Sequence, residues 1–175
     1  MLWYALIAIA VVLVGVVGYA STISDEFTVT RDASINADAA KVFAQFDDFH
    51  RWGAWSPWEK MDPNLARTFS GAEHGVGAKY AWVGNKKVGT GSMQITESVA
   101  PSRLALDLHF MAPFEARNRT EFTFADRQGA THVSWTMKGK RPFFMKVMGI
   151  FMNFDNMIGR DFEAGLANVK ALVEQ

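Results

Sequence analysis

Histidines and carboxylates are the side chains of this 175-residue chain with the widest chemical repertoire, and their spacing matches few known site patterns. The chain has no cysteine, which excludes disulfides, thiol catalysis and thiolate metal sites. Its four histidines include no i,i+4 pair and no HExxH zinc motif. One group of acids and imidazoles could approach a metal ion, namely Asp47, Asp48, His50, Glu73 and His74. Charged loop side chains are usually solvated instead, so we predict no metal site.

Signatures of nucleotide binding and of serine hydrolases are also missing. Gly75–Gly77 and Gly89–Gly91 lack the third glycine and the strand-to-helix context of a phosphate-binding loop. There is no Ser-His-Asp order that resembles a catalytic triad, and we predict no cofactor. Asp155 and Asp161 could act as general acid or base if they turned inward. They flank an apolar helical stripe, however, which favours solvated positions.

Large aromatic and methionine side chains are more informative, because they dominate apolar binding sites as well as cores. The spacing of Trp52 and Trp55 puts both on one face of a helical turn, at a pocket mouth or in a core cluster. Trp82, Phe110 and Trp135 lie in mid-strand, as cavity walls or as plain core. A methionine-rich stretch before the last helix faces either a cavity or lipid. The predicted ligand-binding set is Trp52, Trp55, Trp82, Phe110, Trp135, Met137, Met148, Phe151 and Met152.

Charge excludes one class of partner. Eighteen basic residues balance eighteen acidic ones, and neither sign forms a long run. Nucleic-acid binding normally requires a basic face, so we predict no nucleic-acid partner.

The first twenty residues, MLWYALIAIAVVLVGVVGYA, contain no charged side chain. A helix of this length crosses a hydrocarbon core of about 30 Å, and Trp3, Tyr4 and Tyr19 lie near its ends, where aromatic rings favour the headgroup level. A cleaved signal normally begins with a basic residue, which is absent here, although Gly18–Ala20 resembles a cleavage site. We therefore predict a transmembrane helix at 1–22, a linker at 23–26 and one soluble domain at 27–175.

Within the soluble domain, the period of the apolar residues changes twice. Alternation predicts a first strand over 27–35, followed by a helix capped by Asn36 that runs to Phe46 and a short helix over 49–55. Alternation of period two returns between Leu65 and Lys138, which is typical of about six antiparallel strands with one wet face. From Pro142 the spacing is helical, and a long amphipathic helix starts near Asn153.

A sheet with one apolar face must cover that face, and here the cover is the long C-terminal helix. A strongly twisted sheet curls around such a helix. If the curl is wide, aromatic side chains line a pocket; the same pattern can also pack into a solid core.

Several segments together resemble the helix-grip superfamily that includes START lipid-transfer domains, the birch-pollen allergen type and polyketide cyclases (SRPBCC). They are Trp52-Gly-Ala-Trp55-Ser-Pro-Trp58, Gly75-Val-Gly77-Ala78, Tyr80-Ala-Trp82-Val-Gly84, Gly89-Thr-Gly91-Ser-Met93-Gln-Ile95, Thr131-His-Val133-Ser-Trp135-Thr-Met137 and Asp161-Phe162-Glu163. The resemblance extends over nearly the whole chain after the anchor and is closest to bacterial polyketide cyclase/dehydrase-type proteins with one membrane helix. It implies an α+β fold, in which a curved antiparallel sheet wraps around a long C-terminal helix, with a hydrophobic cavity between them.

The expected function is that of a membrane-anchored domain that binds a lipid, a quinone or another hydrophobic small molecule. The alternatives are a polyketide cyclase or aromatase, for which the sequence offers no compelling acid-base residue, and a solid-core envelope or stress-related interaction protein. We expect a single-pass protein of the bacterial inner membrane. The side on which the domain lies, and whether any reaction is catalysed, stay open.

Overall fold

A seven-stranded antiparallel sheet and a long C-terminal helix form the body of the protein. A computed structural model describes residues 1–175. The strands are β1 (Glu26–Ile35), β2 (Ala66–Gly71), β3 (Ala78–Val83), β4 (Thr90–Val99), β5 (Arg103–Ala112), β6 (Ala116–Arg127) and β7 (Ala130–Lys140). The helices are α1 (Leu2–Thr22), α2 (Ala39–Phe43), α3 (Trp52–Trp55), α4 (Phe143–Phe151) and α5 (Phe154–Val173), with 3-10 turns at Phe49–Arg51 and Pro57–Lys60.

The strand order in the sheet is β1-β7-β6-β5-β4-β3-β2. Only the β1–β7 pairing joins strands distant in sequence; the others are hairpin neighbours with short connections. Two register irregularities interrupt the β4–β5 pairing, between Thr90 and Gly91 and between Ile95 and Glu97. Such bulges increase local twist, which helps the sheet to curl towards α5. The predicted helix-grip α+β fold is confirmed.

The core lies between the inner face of the sheet and α5. It contains 25 buried apolar residues, contributed by the strands, by α2, α3 and α5, and by the segments between them. From α5 it receives Phe162, Leu166, Val169 and Val173, which recur at helical spacing. Asn153 caps this helix, because its side-chain oxygen accepts a hydrogen bond from the amide of Asn156 at 3.0 Å.

The helix predicted from Asn36 to Phe46 is shorter in the structure, where it covers only Ala39–Phe43. The carbonyls just beyond its end have other partners. Gln45 O accepts the Trp55 indole N–H at 3.0 Å, and Phe46 O accepts the Trp52 indole N–H at 3.1 Å. Since carbonyls beyond a helix end need other partners, these two bonds satisfy them and join α3 to the segment that follows α2.

α1 is an apolar helix that extends beyond the sheet and packs against α4. It is long and apolar enough to cross a membrane, with a mean hydropathy of 2.4, and the same features would fit a signal sequence. Ala20 is its one buried residue. Only Ile23, Ser24 and Asp25 separate α1 from β1, so the helix leaves the domain directly at the edge of the sheet.

Candidate functional site

The nine residues predicted to bind ligand do not form one cluster; the structure divides them into three groups. The first group, Trp52, Trp55 and Trp135, lies in the core with exposed fractions of 4%, 0% and 3%. Trp55 packs against Phe46 at a centroid distance of 4.9 Å and against Trp135 at 5.9 Å. Neither Trp52 nor Trp55 reaches the surface, so in this conformation they form no pocket mouth.

Aromatic rings fill the middle of the interface between the sheet and α5. The Trp135 ring stacks on Phe162 at 4.0 Å with an interplanar angle of 8°. A side chain at Gly165 would come within 2.9 Å of Trp135, so this glycine allows the helix to approach the ring closely. Trp58 lies edge-on to both rings, at 5.9 Å from Trp135 and 6.3 Å from Phe162. A ligand at this level would have to displace one of these rings.

The second group lies nearer the C-terminal ends of β5 and β7. Trp82, Phe110 and Met137 belong to it, and the pairing register adds Leu108 and Asn118. We call these five residues the open end of the inner face, because Leu108, Phe110 and Asn118 are only half-buried. Trp82 lies edge-on to Phe110 at 5.9 Å, across Gly91, where a Cβ would come within 2.5 Å of the indole.

Asn118 is the polar residue of the open end. It sits on the inward-facing alternation of β6, two residues from buried Thr120. Its side-chain oxygen Oδ1 is buried without a hydrogen-bond partner, and its amide nitrogen lies 3.8 Å from Met137 Sδ. The indole N–H of Trp135 is likewise unpartnered. Buried polar atoms normally have partners, so the Asn118 acceptor and the Trp135 donor are two unsatisfied groups of the interior, the first at the open end and the second in the ring stack.

The third group, Met148, Phe151 and Met152, lies outside the interface, on or directly after α4. The exposed fractions of these side chains are 42%, 75% and 44%. They therefore do not line the interior beside α5.

The carboxylates considered for acid-base chemistry differ in their surroundings. Asp155 forms an ion pair with Arg31 of β1 at 2.8 Å, and Arg31 also pairs with Glu163, so Asp155 holds α5 to the sheet. Asp161 is half-buried beside the Trp58 indole, and burial raises the pKa of its carboxyl above the ordinary value.

Sequence reasoning missed a buried polar cluster at the β2–β3 edge. Glu59, whose side chain is 7% exposed, accepts hydrogen bonds from the Tyr80 hydroxyl and from Arg67 Nε. Burial and the neighbouring carboxylate raise the pKa of Tyr80, so this phenol stays protonated. A pocket of about 220 Å³ lies beside it, lined in part by Glu59 and Arg67. Since each member is paired with another, the cluster is a structural clamp between the loop 57–60 and the sheet.

The histidines form pairs with single acids. His50 lies 2.9 Å from Asp48, and His74 lies 3.3 Å from Asp47. Asp47 also accepts a hydrogen bond from Ser98 at 2.7 Å. No three histidine or acidic side chains converge as metal ligands would.

A concavity of about 760 Å³ lies on the other, solvent-facing side of the sheet and includes no residue of α5. Polar residues from five neighbouring strands line it in one row. Each member pairs with the next across the sheet, in the order Lys79, Gln94, Asp107, Arg119 and Lys138. Its lining also includes Leu108 and Asn118 of the open end, but because no residue of α5 takes part it is not the apolar cavity expected between sheet and helix.

Comparisons with known proteins agree with this architecture. Protein CV1439 from Chromobacterium violaceum superposes with a TM-score of 0.61 at 17% identity, covering 85% of this chain and 97% of that one. The Aha1 dimer from Colwellia psychrerythraea gives 0.58 at 11% identity, with 85% and 96% covered. The di-domain ARO/CYC BexL of the BE-7585A biosynthetic pathway gives 0.64 at 16% identity, covering 91% of this chain and 53% of that one.

These likenesses show the fold alone, since all lie below 25% identity. No curated protein sequence matches the chain significantly. The model of one sequence family, described as polyketide cyclase / dehydrase and lipid transport, matches residues 26–174, which is almost the whole chain after α1. The chain therefore belongs to the polyketide cyclase / dehydrase and lipid transport family, within the SRPBCC superfamily.

Proposed function

We propose that this protein is a membrane-anchored module that binds a lipid, a quinone or a similar hydrophobic molecule at the open end of its inner face. The observation that carries the proposal is the combination of half-buried apolar side chains with the unpartnered Asn118 Oδ1. Membership in a family whose description includes lipid transport supports the same class of ligand.

Apolar contact supplies most of the binding free energy in this proposal. Trp82, Leu108 and Phe110 present neighbouring apolar surfaces, and burial contributes about 25 cal/mol per Å² of apolar area. The rings of Trp135 and Phe162 close the deep side of this region, so the ligand lies between the open end and the first turns of α5 rather than beneath the middle of the sheet.

Asn118 gives the site a preference for ligands with a hydrogen-bond donor. Its Oδ1 has no protein partner, so a hydroxyl of the ligand would satisfy an acceptor that the fold leaves unpaired. A net hydrogen bond contributes about 0.5–1.5 kcal/mol, which corresponds to roughly a two- to tenfold gain in affinity. A ligand of equal size without a donor would lack this gain.

The test uses the full chain in nanodiscs and two fluorescent fatty-acyl probes, one ending in an alcohol and one in a methyl group. We expect both to bind, with the alcohol bound more tightly. In Asn118→Leu the alcohol loses roughly two- to tenfold in affinity, while the methyl probe changes by less than about twofold. Arg117→Leu, on the solvent-facing side of the same strand, is the matched control and leaves both affinities unchanged.

Absence of uptake of either probe at micromolar concentration would contradict the proposal. The remaining hypothesis would then be an interaction protein with a solid core, which the ring packing around Trp135 favours. Equal losses for both probes in Asn118→Leu would mean that the asparagine only shapes the site and does not select the ligand.

A cyclase or aromatase is the second candidate, and one observation favours it. The Asp161 carboxyl is half-buried next to Trp58 with a raised pKa, as a general acid requires. Under this alternative Asp161→Asn abolishes turnover of a linear polyketide mimic while Asn118→Leu alters KM. Under the proposed binding function no turnover occurs, and Asp161→Asn leaves probe affinity unchanged.

A further inference from the structure

The helix α4 buries its one charged residue and exposes apolar residues. Of its nine residues, FFMKVMGIF, only Lys146 is charged, and this lysine is buried with a side chain 7% exposed. Its ammonium group forms an ion pair with Asp25, the last of the three residues between α1 and β1. A helix on a water-facing surface normally buries its apolar side and exposes its charges. In α4 the single charge points inward.

The side of α4 opposite Lys146 is exposed and apolar. Phe144, Met148 and Phe151 follow one another at spacings of four and three, which puts them on one stripe about half a turn from Lys146. They are 43%, 42% and 75% exposed. Exposed apolar residues are ordinary when they are scattered, but a continuous stripe of two phenylalanines and a methionine marks an interaction surface.

A loop from the sheet extends the same surface. Phe114, between β5 and β6, packs on Phe144 at a centroid distance of 5.2 Å and is itself 65% exposed. Met111, at the end of β5, is 48% exposed. We call Met111, Phe114, Phe144, Met148 and Phe151 the apolar platform. The whole platform lies at one end of the domain.

The position of α1 identifies what covers this platform. α1 packs against α4, its last turn buries Ala20, and Asp25 holds Lys146. A helix of 21 residues is about 31 Å long and spans a hydrocarbon core of about 30 Å. The end of α1 therefore lies at the level of the membrane surface, and the platform is continuous with it.

We propose that α4 and the β5–β6 loop lie in the membrane interface, with the apolar platform inserted among the acyl chains beside α1. Lys140 and Arg141 lie at the end of β7, three and two residues before α4 begins, where they can meet lipid phosphates. A helix with such an apolar face, lying flat, buries it at the boundary between headgroups and acyl chains. The inference rests on the membrane anchoring in the proposed function, but it holds whether or not the open end binds a ligand.

Because the chain has no cysteine, single cysteines can report the depth of chosen positions in the full-length protein. Nitroxide labels are placed at Phe144→Cys, Phe151→Cys and Phe114→Cys in vesicles of phosphatidylcholine and phosphatidylglycerol. Val12→Cys, in the middle of α1, reports membrane insertion of the anchor. Val99→Cys, 51% exposed at the opposite end of the sheet, is the control in water.

We expect the labels at 144, 151 and 114 to be protected from a water-soluble nickel chelate several-fold relative to the label at 99, and to be accessible to oxygen. Chelate accessibility equal to that at position 99 would overturn the proposal, provided that the label at 12 is protected. An unprotected label at 12 would overturn the anchoring itself, which separates the two failures. Dipolar broadening between labels at 151 would show that a second copy covers the platform, and would also overturn the proposal.

Discussion

Replacing Phe162 by alanine tests whether the space between sheet and α5 is filled, as the ring contacts indicate. Phe162 is 2% exposed, and its ring lies parallel to Trp135 at 4.0 Å. Burial of a phenylalanine contributes about 1.5–3 kcal/mol, and an aromatic pair adds about 0.5–1.5 kcal/mol. With the cavity left behind, Phe162→Ala should cost about 3–5 kcal/mol, a large part of a typical total stability of about 5–15 kcal/mol.

The assay is urea unfolding of the full chain in mild detergent, followed by tryptophan fluorescence. Phe154→Ala is the matched control, because Phe154 is only half-buried in the first turn of the same helix and should lose less than half as much. An enlarged apolar cavity should also take up benzene, which would restore part of the stability of Phe162→Ala and leave the wild type unchanged.

A loss below about 1.5 kcal/mol for Phe162→Ala, the lower end of the burial contribution alone, would refute this reasoning. It would mean that Phe162 already borders an empty space. A ligand-sized cavity beneath the middle of the sheet would then replace the open end as the binding region.

Two further predictions concern the open end and its neighbourhood. Gly91→Ala should destabilise the protein by about 1–3 kcal/mol, because its Cβ would meet the Trp82 ring and the His109 carbonyl. The control Gly53→Ala, whose Cβ would lie in open space within α3, should be neutral or stabilise the protein by up to about 1 kcal/mol. Equal changes in the thermal unfolding midpoints of the two variants would contradict this prediction. Asp161→Asn should raise the unfolding midpoint at pH 7, because burial raises the pKa of Asp161 and the stability contributed by its neutral form is lost as pH rises above 3.8. The difference in unfolding midpoint between Asp161→Asn and the wild type should vanish below that pH. A difference that grows in acid would show that burial of the Asp161 carboxylate is not its cause.

The fold was predictable from sequence because its signals are local and periodic. Alternation in 65–138 specified six strands, and helical spacing after Asn153 specified α5. The end of α2 was not predictable in the same way. The segment after it is held by the Trp52 and Trp55 indoles, which reach back to backbone carbonyls six and ten residues earlier. Periodicity contains no information about such contacts.

The site was less predictable, because periodicity identifies the face of a residue and not its depth. Trp135 and Phe110 both alternate inward, yet one lies under α5 at 3% exposure and the other is half-buried near the end of its strand. Asn118 carried a detectable signal, since it is an amide at an inward-facing position of β6. Glu59 carried none, because its partners Tyr80 and Arg67 are brought to it only by the folded sheet.

The three residues between α1 and β1 limit what the domain can do if α1 stays in the membrane. Three residues span about 10 Å when extended, and here both ends are fixed, by buried Ala20 on one side and by the Asp25–Lys146 pair on the other. A domain held so closely cannot swing out to a distant acceptor. It would exchange a bound ligand only with the membrane leaflet beside it. Transfer of that ligand to a distant site would need a second, mobile protein that binds the domain.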